Sequence, residues 1–291
     1  MAKVDTGSVV ENIKDKVGQP ARNAAGAAGP WIEWLARFGY GVRGLLYITV
    51  GVLAAQLALG HGGATTDKNG AIAAIGDQPF GKFLLVLVVV GLIGYSLWGF
   101  VRAIFDPLDR GTDPKGIAQR VGYVVSGISY GALVIPTIRF IMGSGGTGGG
   151  SGASRDMTAK LLSEPFGQWL VGLLGLIGIA GGLGQLFQAF TADFKKDLKF
   201  REMNGDEQKW AIRVGKFGMA ARGVVFAMLG FFIVQAALNK DPNNVKGIDG
   251  ALQTLLHQPY GPWLLGIMAL GLISFGIYSA LCAQWIRINR R

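Results

Sequence analysis

Two arginines lie within long apolar stretches of the chain, where a charge is costly and tends to mark a functional site. Arg43 and Arg222 each stand about five residues inside their stretch, which is roughly 7–8 Å along a helix. From that depth a guanidinium can snorkel to the membrane surface, and it can also bind phosphate in a bidentate way. Together with the flanking Arg37 and Lys216, they predict two sites for anionic lipid headgroups; simple snorkelling is the alternative.

Three further polar residues lie towards the far end of equivalent stretches. Gln56, Arg139 and Gln235 each follow a recurring glycine by twelve residues. They predict an intramembrane polar layer, and hydrogen bonds between helices are its simplest role. Trp98 and Arg102, at i and i+4, predict a cation–π pair at the membrane interface.

The chain has no arrangement typical of an enzyme or a metalloprotein. His61 and His257 have no Cys, Asp or Glu at ligand spacing, and Cys282 is the single cysteine. The sequence also lacks a Ser/His/Asp constellation, paired intramembrane carboxylates and a phosphate-binding loop. We therefore expect no catalytic residue, no metal and no cofactor.

One motif recurs three times and organises the sequence. It consists of a basic residue, a Gly two places on, a second Gly five places later and an aromatic residue three further. The copies occupy 37–47, 120–130 and 216–226. Their spacing is too long for a solenoid repeat, so each repeat is predicted to be a unit of two membrane helices.

A second motif opens the second helix of each unit with a proline and an aromatic residue. Proline fits the first helical turn because the N–H group that it lacks would have no partner there. The copies are 78–81, 164–167 and 258–261. The short semi-apolar stretches before them predict helices in the membrane interface. These stretches are 71–75, 157–162 and 251–256.

Six apolar stretches are each close to the ~20 residues that cross a bilayer. Half of the residues are hydrophobic, only 16% are charged and 47 of 291 are glycine, a composition typical of membrane helices. The fold class predicted is an all-α polytopic membrane bundle of three parallel two-helix repeats with pseudo-threefold symmetry. The spans are 38–60, 81–105, 119–142, 166–190, 214–238 and 260–286.

Lys and Arg are distributed unevenly between the two sides of this bundle. The segments 1–37, 102–120, 195–216 and 287–291 hold five, four, seven and three of them, whereas the alternate loops hold six together. Since cytoplasmic loops carry the excess of basic residues, both termini are expected in the cytoplasm, with the bundle in a bacterial inner membrane. The net charge of +10 then indicates a membrane surface rather than a nucleic acid as partner.

The chain is accordingly divided into a disordered cytoplasmic tail and three repeats, at 1–33, 34–110, 115–195 and 210–291. Glycines at motif positions or at small-xxx-small spacing are expected to let helices pack closely. They are Gly39, Gly44, Gly122, Gly127, Gly131, Gly178, Gly182, Gly218 and Gly223.

The two motifs together resemble those of a bacterial membrane family known as domain of unknown function 1206. The resemblance covers about 34–291, and it is weakest in the middle repeat, where Ser126 stands in place of the arginine of the other two. It implies the same six-span, three-repeat fold and brings no established activity. Mitochondrial carriers also have three two-span repeats, but the charged motif that ends their odd helices is missing here, so we reject that resemblance.

Two classes of function are therefore carried forward. The first is a non-catalytic membrane bundle that organises lipids or partner proteins, further copies of itself included, and the lack of intramembrane carboxylates favours it. The second is a small-molecule or ion transporter with a pathway along the pseudo-threefold axis. An enzyme is the least favoured class.

Overall fold

A computed structural model describes residues 29–107, 110–144 and 150–286. Residues 1–28 of the expected tail lie outside the described residues. All regular structure in the described part is helical, apart from one bridge between Leu198 and Ile286. Its α-helices are α1 (Gly29–Ala58), α2 (Lys68–Gly76), α3 (Gly81–Phe105), α4 (Pro114–Gly131), α5 (Val134–Ile141), α6 (Gly150–Leu162), α7 (Gly167–Thr191), α8 (Gly205–Asn239), α9 (Ile248–Leu256) and α10 (Gly261–Trp285).

Six spans in the described part are long and apolar enough to cross a membrane, as the sequence predicts. They are α1, α3, α4 with α5, α7, α8 and α10, and the short helices α2, α6 and α9 lie where short helices are expected. The third span is interrupted after Gly131 instead of being one continuous helix. The cause is Pro136, which has no N–H group to bond the carbonyl group one turn before it.

The even-numbered spans are α3, α7 and α10. The turn that leads into each of them has the same backbone conformation in all three repeats. Phe80, Phe166 and Tyr260 adopt left-handed conformations with φ of 61–62°, which non-glycine residues rarely take. The next residue must be glycine, because an added Cβ at Gly81 would lie 1.9 Å from the carbonyl oxygen of Gly76. This shared turn supports the division of the chain into three equivalent units.

The spans are arranged as an arc in the order α4, α3, α1, α10, α8, α7. In repeats 1 and 3 the two spans of the repeat pack on each other, and α1 packs on α10 and α7 on α8 between repeats. Within the described residues, α4 and α7, the two spans of repeat 2, do not pack along each other. The pseudo-threefold ring is therefore open between α4 and α7.

The second glycine of the repeated motif packs against the preceding even-numbered span in every repeat. An added Cβ would lie 2.7 Å from a backbone oxygen of α10 at Gly44, 3.0 Å from one of α3 at Gly127, and 2.9 Å from one of α7 at Gly223. Such distances leave no room for a side chain. The contact between neighbouring repeats is thus the same at all three positions.

One end of the bundle, here called the basic end, contains the start of α1 and the loops after α3 and α7. There Arg110 forms an ion pair with Asp197 and donates a hydrogen bond to Tyr123 of α4 (3.2 Å). Burial raises the pKa of Asp197, although Arg110 acts in the opposite direction. The ion pair connects the loop after α3 to the loop after α7, across the open side of the ring. The opposite end, which carries α2, α6 and α9, is the short-helix end.

Candidate functional site

Four basic side chains and four tyrosines meet inside the bundle. They come from α1, α2, α3, α4 and α8, so all three repeats contribute. The group, called the Arg–Tyr cluster below, consists of Arg43, Arg102, Arg222, Lys68, Tyr40, Tyr47, Tyr95 and Tyr130.

Three residues of the cluster lie on the inward-facing side of α1. Tyr40, Arg43 and Tyr47 are spaced at i, i+3 and i+7 and therefore lie on one side of the helix. Their rings pack edge-on against neighbouring rings, Tyr40 on Tyr95 at 5.2 Å and Tyr47 on Phe275 at 4.7 Å between centroids. Aromatic packing of this kind fixes the position of the rings that surround the arginines.

Arg43 lies at the centre of the cluster and is only 6% exposed. Its Nε donates a hydrogen bond to Ser279 Oγ (3.1 Å), and its Nη1 donates one to the hydroxyl group of Tyr95. The guanidinium carbon lies 4.7–5.0 Å from the ring centroids of Tyr40, Tyr95 and Phe275. Cation–π attraction is strongest at such desolvated sites, so this cation is held by rings and hydroxyl groups.

Arg102 enters the cluster from the basic end and is also 6% exposed. One of its nitrogens, Nη1, donates to the hydroxyl group of Tyr40 (3.1 Å), and its guanidinium carbon lies 4.3 Å from the ring centroid of Tyr123. Its Nε and Nη2 are buried and form no hydrogen bond of ordinary geometry with the described residues, although the hydroxyl group of Tyr95 lies close to this guanidinium. Buried donors without partners cost about 1–3 kcal/mol each and more when charged, so Arg102 has bonding capacity that the protein leaves unused.

Lys68 and Arg222 complete the group of cations. The ammonium of Lys68 lies 4.0 Å from the ring centroid of Tyr130 and 5.6 Å from that of Tyr47, and burial lowers the pKa of Lys68. The guanidinium of Arg222 lies 4.8 Å from the ring centroid of Phe275. Its Nε and the hydroxyl groups of both tyrosines are buried and form no hydrogen bond of ordinary geometry with the described residues, although Arg222 and the hydroxyl group of Tyr47 lie close together.

Among the described residues, no carboxylate forms an ion pair with a cation of the cluster, although Asp197, the partner of Arg110, lies close enough to Arg102 to attract it. The ion pairs found among the described residues join other groups, such as Arg37 with Glu33 and Arg110 with Asp197. Burying unpaired charges is costly, and the four cations also repel one another. The described part of the chain likewise has no group of His, Cys, Asp or Glu that could hold a metal ion. The chemistry that the cluster offers is the binding of an anion.

The structure brings two of the four expected anion-binding residues together. The guanidiniums of Arg43 and Arg222 both lie against the ring of Phe275, whereas Lys216 is exposed. Arg37 binds Glu33 (2.8 Å) and the carbonyl oxygens at the end of α10. Arg43 therefore does not snorkel, because its guanidinium is enclosed by protein. Lipid binding by these residues stays a prediction.

The expected polar layer is not gathered into the interior. Gln56 and Arg139 are exposed, and Gln235 is half-buried. The predicted pair of Trp98 and Arg102 does form, with 5.8 Å between guanidinium carbon and ring, but both side chains are buried rather than at the interface.

Most of the expected packing glycines contact a neighbouring span. Beyond the three second-motif glycines, an added Cβ would lie within 3.1 Å of another helix at Gly39, Gly131, Gly178, Gly182 and Gly218. Gly122 differs, because a Cβ added there would meet nothing within 4 Å.

Sequence reasoning missed Lys68, Arg102 and the four tyrosines as one site. Lys68 lies in a segment that reads as a loop, and Arg102 lies at the edge of an apolar stretch. A usable signal was present in the motif itself, because its closing aromatic residue supplies Tyr47 and Tyr130. Aromatic residues recurring next to intramembrane arginines indicate cation–π contacts.

Comparison with known proteins agrees with this architecture. Residues 38–106, 121–192 and 217–285 match the family described as Domain of Unknown Function (DUF1206). The chain is 35% identical over 252 residues to the uncharacterized protein YxxB of Bacillus subtilis (strain 168), covering 87% of this chain and 90% of the relative. No solved structure matches the chain significantly. The three matched segments coincide with the three repeats, and the chain belongs to the bacterial membrane family of Domain of Unknown Function 1206.

Proposed function

We propose that the protein is a non-catalytic membrane bundle that binds an anionic group in the Arg–Tyr cluster. The observation that carries this proposal is the meeting of four cations, none of which forms an ion pair with a carboxylate among the described residues. Buried nitrogens of Arg102 and Arg222 and the hydroxyl group of Tyr130, which form no hydrogen bond of ordinary geometry with the described residues, supply hydrogen bonds to the ligand.

An anion would remove two costs that arise from burying the cluster. It would offset the repulsion between neighbouring cations, and it would accept hydrogen bonds from donors that have no partner. Phosphate and carboxylate groups fit best, since a guanidinium presents two parallel N–H groups to them. The rigid tyrosine rings keep the arginines in place before binding.

Transport of an anion is a second candidate function. The observation that favours it is the extent of the cluster, which begins with Lys68 near the short-helix end and continues through Arg43 to Arg102 near the basic end. A polar path of that length inside apolar spans is typical of a substrate route. Uptake of a labelled anion into liposomes that contain the protein would distinguish transport from binding alone.

Replacing Arg102 with glutamine should abolish stabilisation of the protein by anions. Thermal unfolding of lipid-free protein in detergent is measured with increasing inorganic phosphate. The wild type should gain about 2.7 kcal/mol when phosphate reaches 100 times its Kd, and Arg102→Gln should gain almost nothing.

Arg37→Gln is the control, because Arg37 already binds Glu33 outside the cluster. It should respond to phosphate like the wild type. An equal response of the Arg102 variant and the wild type would refute anion binding in the cluster. Loss of the response in Arg37→Gln alone would place the anion at the basic end instead.

We also propose that the basic end faces the cytoplasm of a bacterial cell, in the inner membrane. The excess of Lys and Arg at that end supports this orientation. Single cysteines at exposed positions, His61→Cys and Arg201→Cys, are introduced into a Cys282→Ser protein. A membrane-impermeant maleimide should label the first in intact cells and the second only after permeabilisation. The reverse pattern would invert the topology.

A further inference from the structure

Equivalent glycine positions in the three repeats show where the ring is open. In repeats 1 and 3 the first motif glycine packs on the even-numbered span of its own repeat: an added Cβ would lie 2.5 Å from Tyr95 N at Gly39 and 2.4 Å from Phe275 N at Gly218. In repeat 2 the counterparts are Gly122 and Gly181, and a Cβ added at either meets nothing within 4 Å.

One side-chain difference explains why repeat 2 stays open. In repeats 1 and 3 a glycine ten residues into the even-numbered span, Gly91 or Gly271, lies directly against the odd span. The counterpart in repeat 2 is Ile177, and the residue of α4 at the matching position is Val125. Two branched side chains prevent the close approach that glycine permits. Val125 and Ile177 are each 57% exposed.

These residues define a side opening between α4 and α7. Its walls are exposed and consist of apolar or small residues, with Ser129 as the only hydroxyl among those named. They are Gly122, Val125 and Ser129 on α4 and Ile177, Gly181 and Gly184 on α7.

The side opening adjoins the Arg–Tyr cluster. On α4, Tyr123 and Tyr130 are on the helix face next to Gly122 and Val125, seven residues apart. Tyr130 packs on Tyr95 at 4.6 Å between ring centroids, and Tyr123 lies against the guanidinium of Arg102. The wall of the opening therefore continues directly into the wall of the cluster.

The opposite wall carries a pair of polar groups without partners. By position in the repeats, Arg222 and Gln185 correspond to Arg43 and Ser279, whose side chains are hydrogen-bonded at 3.1 Å. The Nε of Arg222 and the Oε1 of Gln185 are both buried, and neither has a hydrogen-bond partner. At the position where Arg43 donates a hydrogen bond to Ser279 of α10, the equivalent Nε of Arg222 donates none to α7.

We propose that an anionic phospholipid enters the protein through the side opening, with its phosphate at Arg102 and Arg222 and an acyl chain along Val125 and Ile177. This inference depends on the proposed function, since it identifies the anion as a lipid headgroup. Charge complementarity selects this occupant, because an apolar cleft that ends in unpaired cations matches a molecule with a chain and a negative head.

The test blocks the side opening with two bulky residues, Gly122→Trp and Gly181→Trp. Both positions have open space around them, so the bundle itself is expected to fold. Gly41→Trp is the control, because it also has open space but lies on α1, away from the opening. Native mass spectrometry then measures phosphatidylglycerol retained by each purified protein. The blocked variant should retain about tenfold less than wild type and the control should retain as much, a difference of 1.4 kcal/mol in binding.

Cross-linking locates the lipid independently. Phosphatidylglycerol with a photoreactive acyl chain is incorporated into nanodiscs that contain the wild type. Cross-links concentrated on residues 121–129 and 177–184 would support the proposal, and an even distribution over all spans would overturn it. Disulfide cross-links between two chains that carry Val125→Cys would show that a second copy covers the opening, which also overturns it.

Failure of this inference is distinguishable from failure of the proposed function. Inorganic phosphate has no chain, so its effect on thermal unfolding reports on the cluster alone. If phosphate stabilises the wild type but the blocked variant retains phosphatidylglycerol fully, the lipid route is wrong and anion binding stands. If phosphate has no effect and no lipid is retained, the proposed function fails as well.

Discussion

Gly182→Leu should abolish the packing of α7 on α8, whereas Gly181→Leu, one residue earlier, should fold like the wild type. A Cβ at Gly182 would lie 2.5 Å from Ala227 N and 2.6 Å from the carbonyl oxygen of Gly223. A Cβ at Gly181 would meet nothing within 4 Å. Overpacking by a few methylene groups costs about 1–3 kcal/mol even where side chains can move, and a backbone atom in contact cannot move aside.

The measurement is the yield of monodisperse protein in detergent, followed by thermal unfolding of what is recovered. Gly184→Leu is a second control, since its Cβ also faces open space. Equal yields of the Gly182 and Gly181 variants would mean that α7 does not depend on this contact. The comparison uses one helix and one kind of substitution, so changes in membrane insertion affect both variants alike.

Arg43→Met should remove the response to anions while leaving lipid-free protein at least as stable as the wild type. Arg43 lies among other cations and is 6% exposed, so its removal lowers the repulsion within the cluster. Burying a charge without an ion-pair partner is costly, so an apolar side chain of similar size removes a desolvation cost at this position. A binding site that buries charge at a cost in stability trades stability for function in this way.

Thermal unfolding with and without inorganic phosphate measures both effects in one experiment. Arg120→Met is the control, because the guanidinium of Arg120 binds the carbonyl oxygens of Ala103 and Ile104 outside the cluster. It should keep the phosphate response and lose some stability. A strong loss of stability in Arg43→Met without phosphate would instead assign Arg43 the structural role of joining Tyr95 to Ser279.

The spans and repeats could be predicted from the sequence because both depend on local properties. Length and hydropathy define a membrane helix, and the recurring glycines align the three units without reference to any neighbour. The interruption after Gly131 was also encoded locally, in Pro136, but a single proline within an apolar stretch is often tolerated in membrane helices.

The site could not be predicted because it depends on which way side chains point. The depth of Arg43 in its span follows from the sequence, but its direction follows from the packing of α1 against α10, where Ser279 and Phe275 receive it. Lys68 belongs to the cluster only because α2 folds back over the bundle end. Contacts of this kind join residues that are far apart in the chain, and one sequence carries no direct record of them.

Repeat 2 likewise shows that a motif in one helix does not by itself determine a contact between two helices. Gly122 has the motif position of Gly39 and Gly218, and the sequence predicts the same packing for all three. Whether the contact forms is decided by the partner helix, where Ile177 occupies the place of a glycine. The motif therefore specifies the glycine on one helix of each contact, whereas the residue that this glycine meets on the partner helix lies outside the motif.

The arc of spans also gives the protein unusual mechanics. A closed ring of helices can change its circumference only by breaking or sliding a helix interface, whereas this arc is joined across its gap by the ion pair of Arg110 and Asp197 between two loops. In the most apolar 18-residue window of the two end spans, Gly116–Ile141 and Gly167–Thr191, 22% and 17% of the residues are buried, against 39–50% in the other four spans. These two end spans therefore present the largest share of their residues to the surrounding acyl chains, and widening of the gap would break a loop ion pair rather than a helix interface.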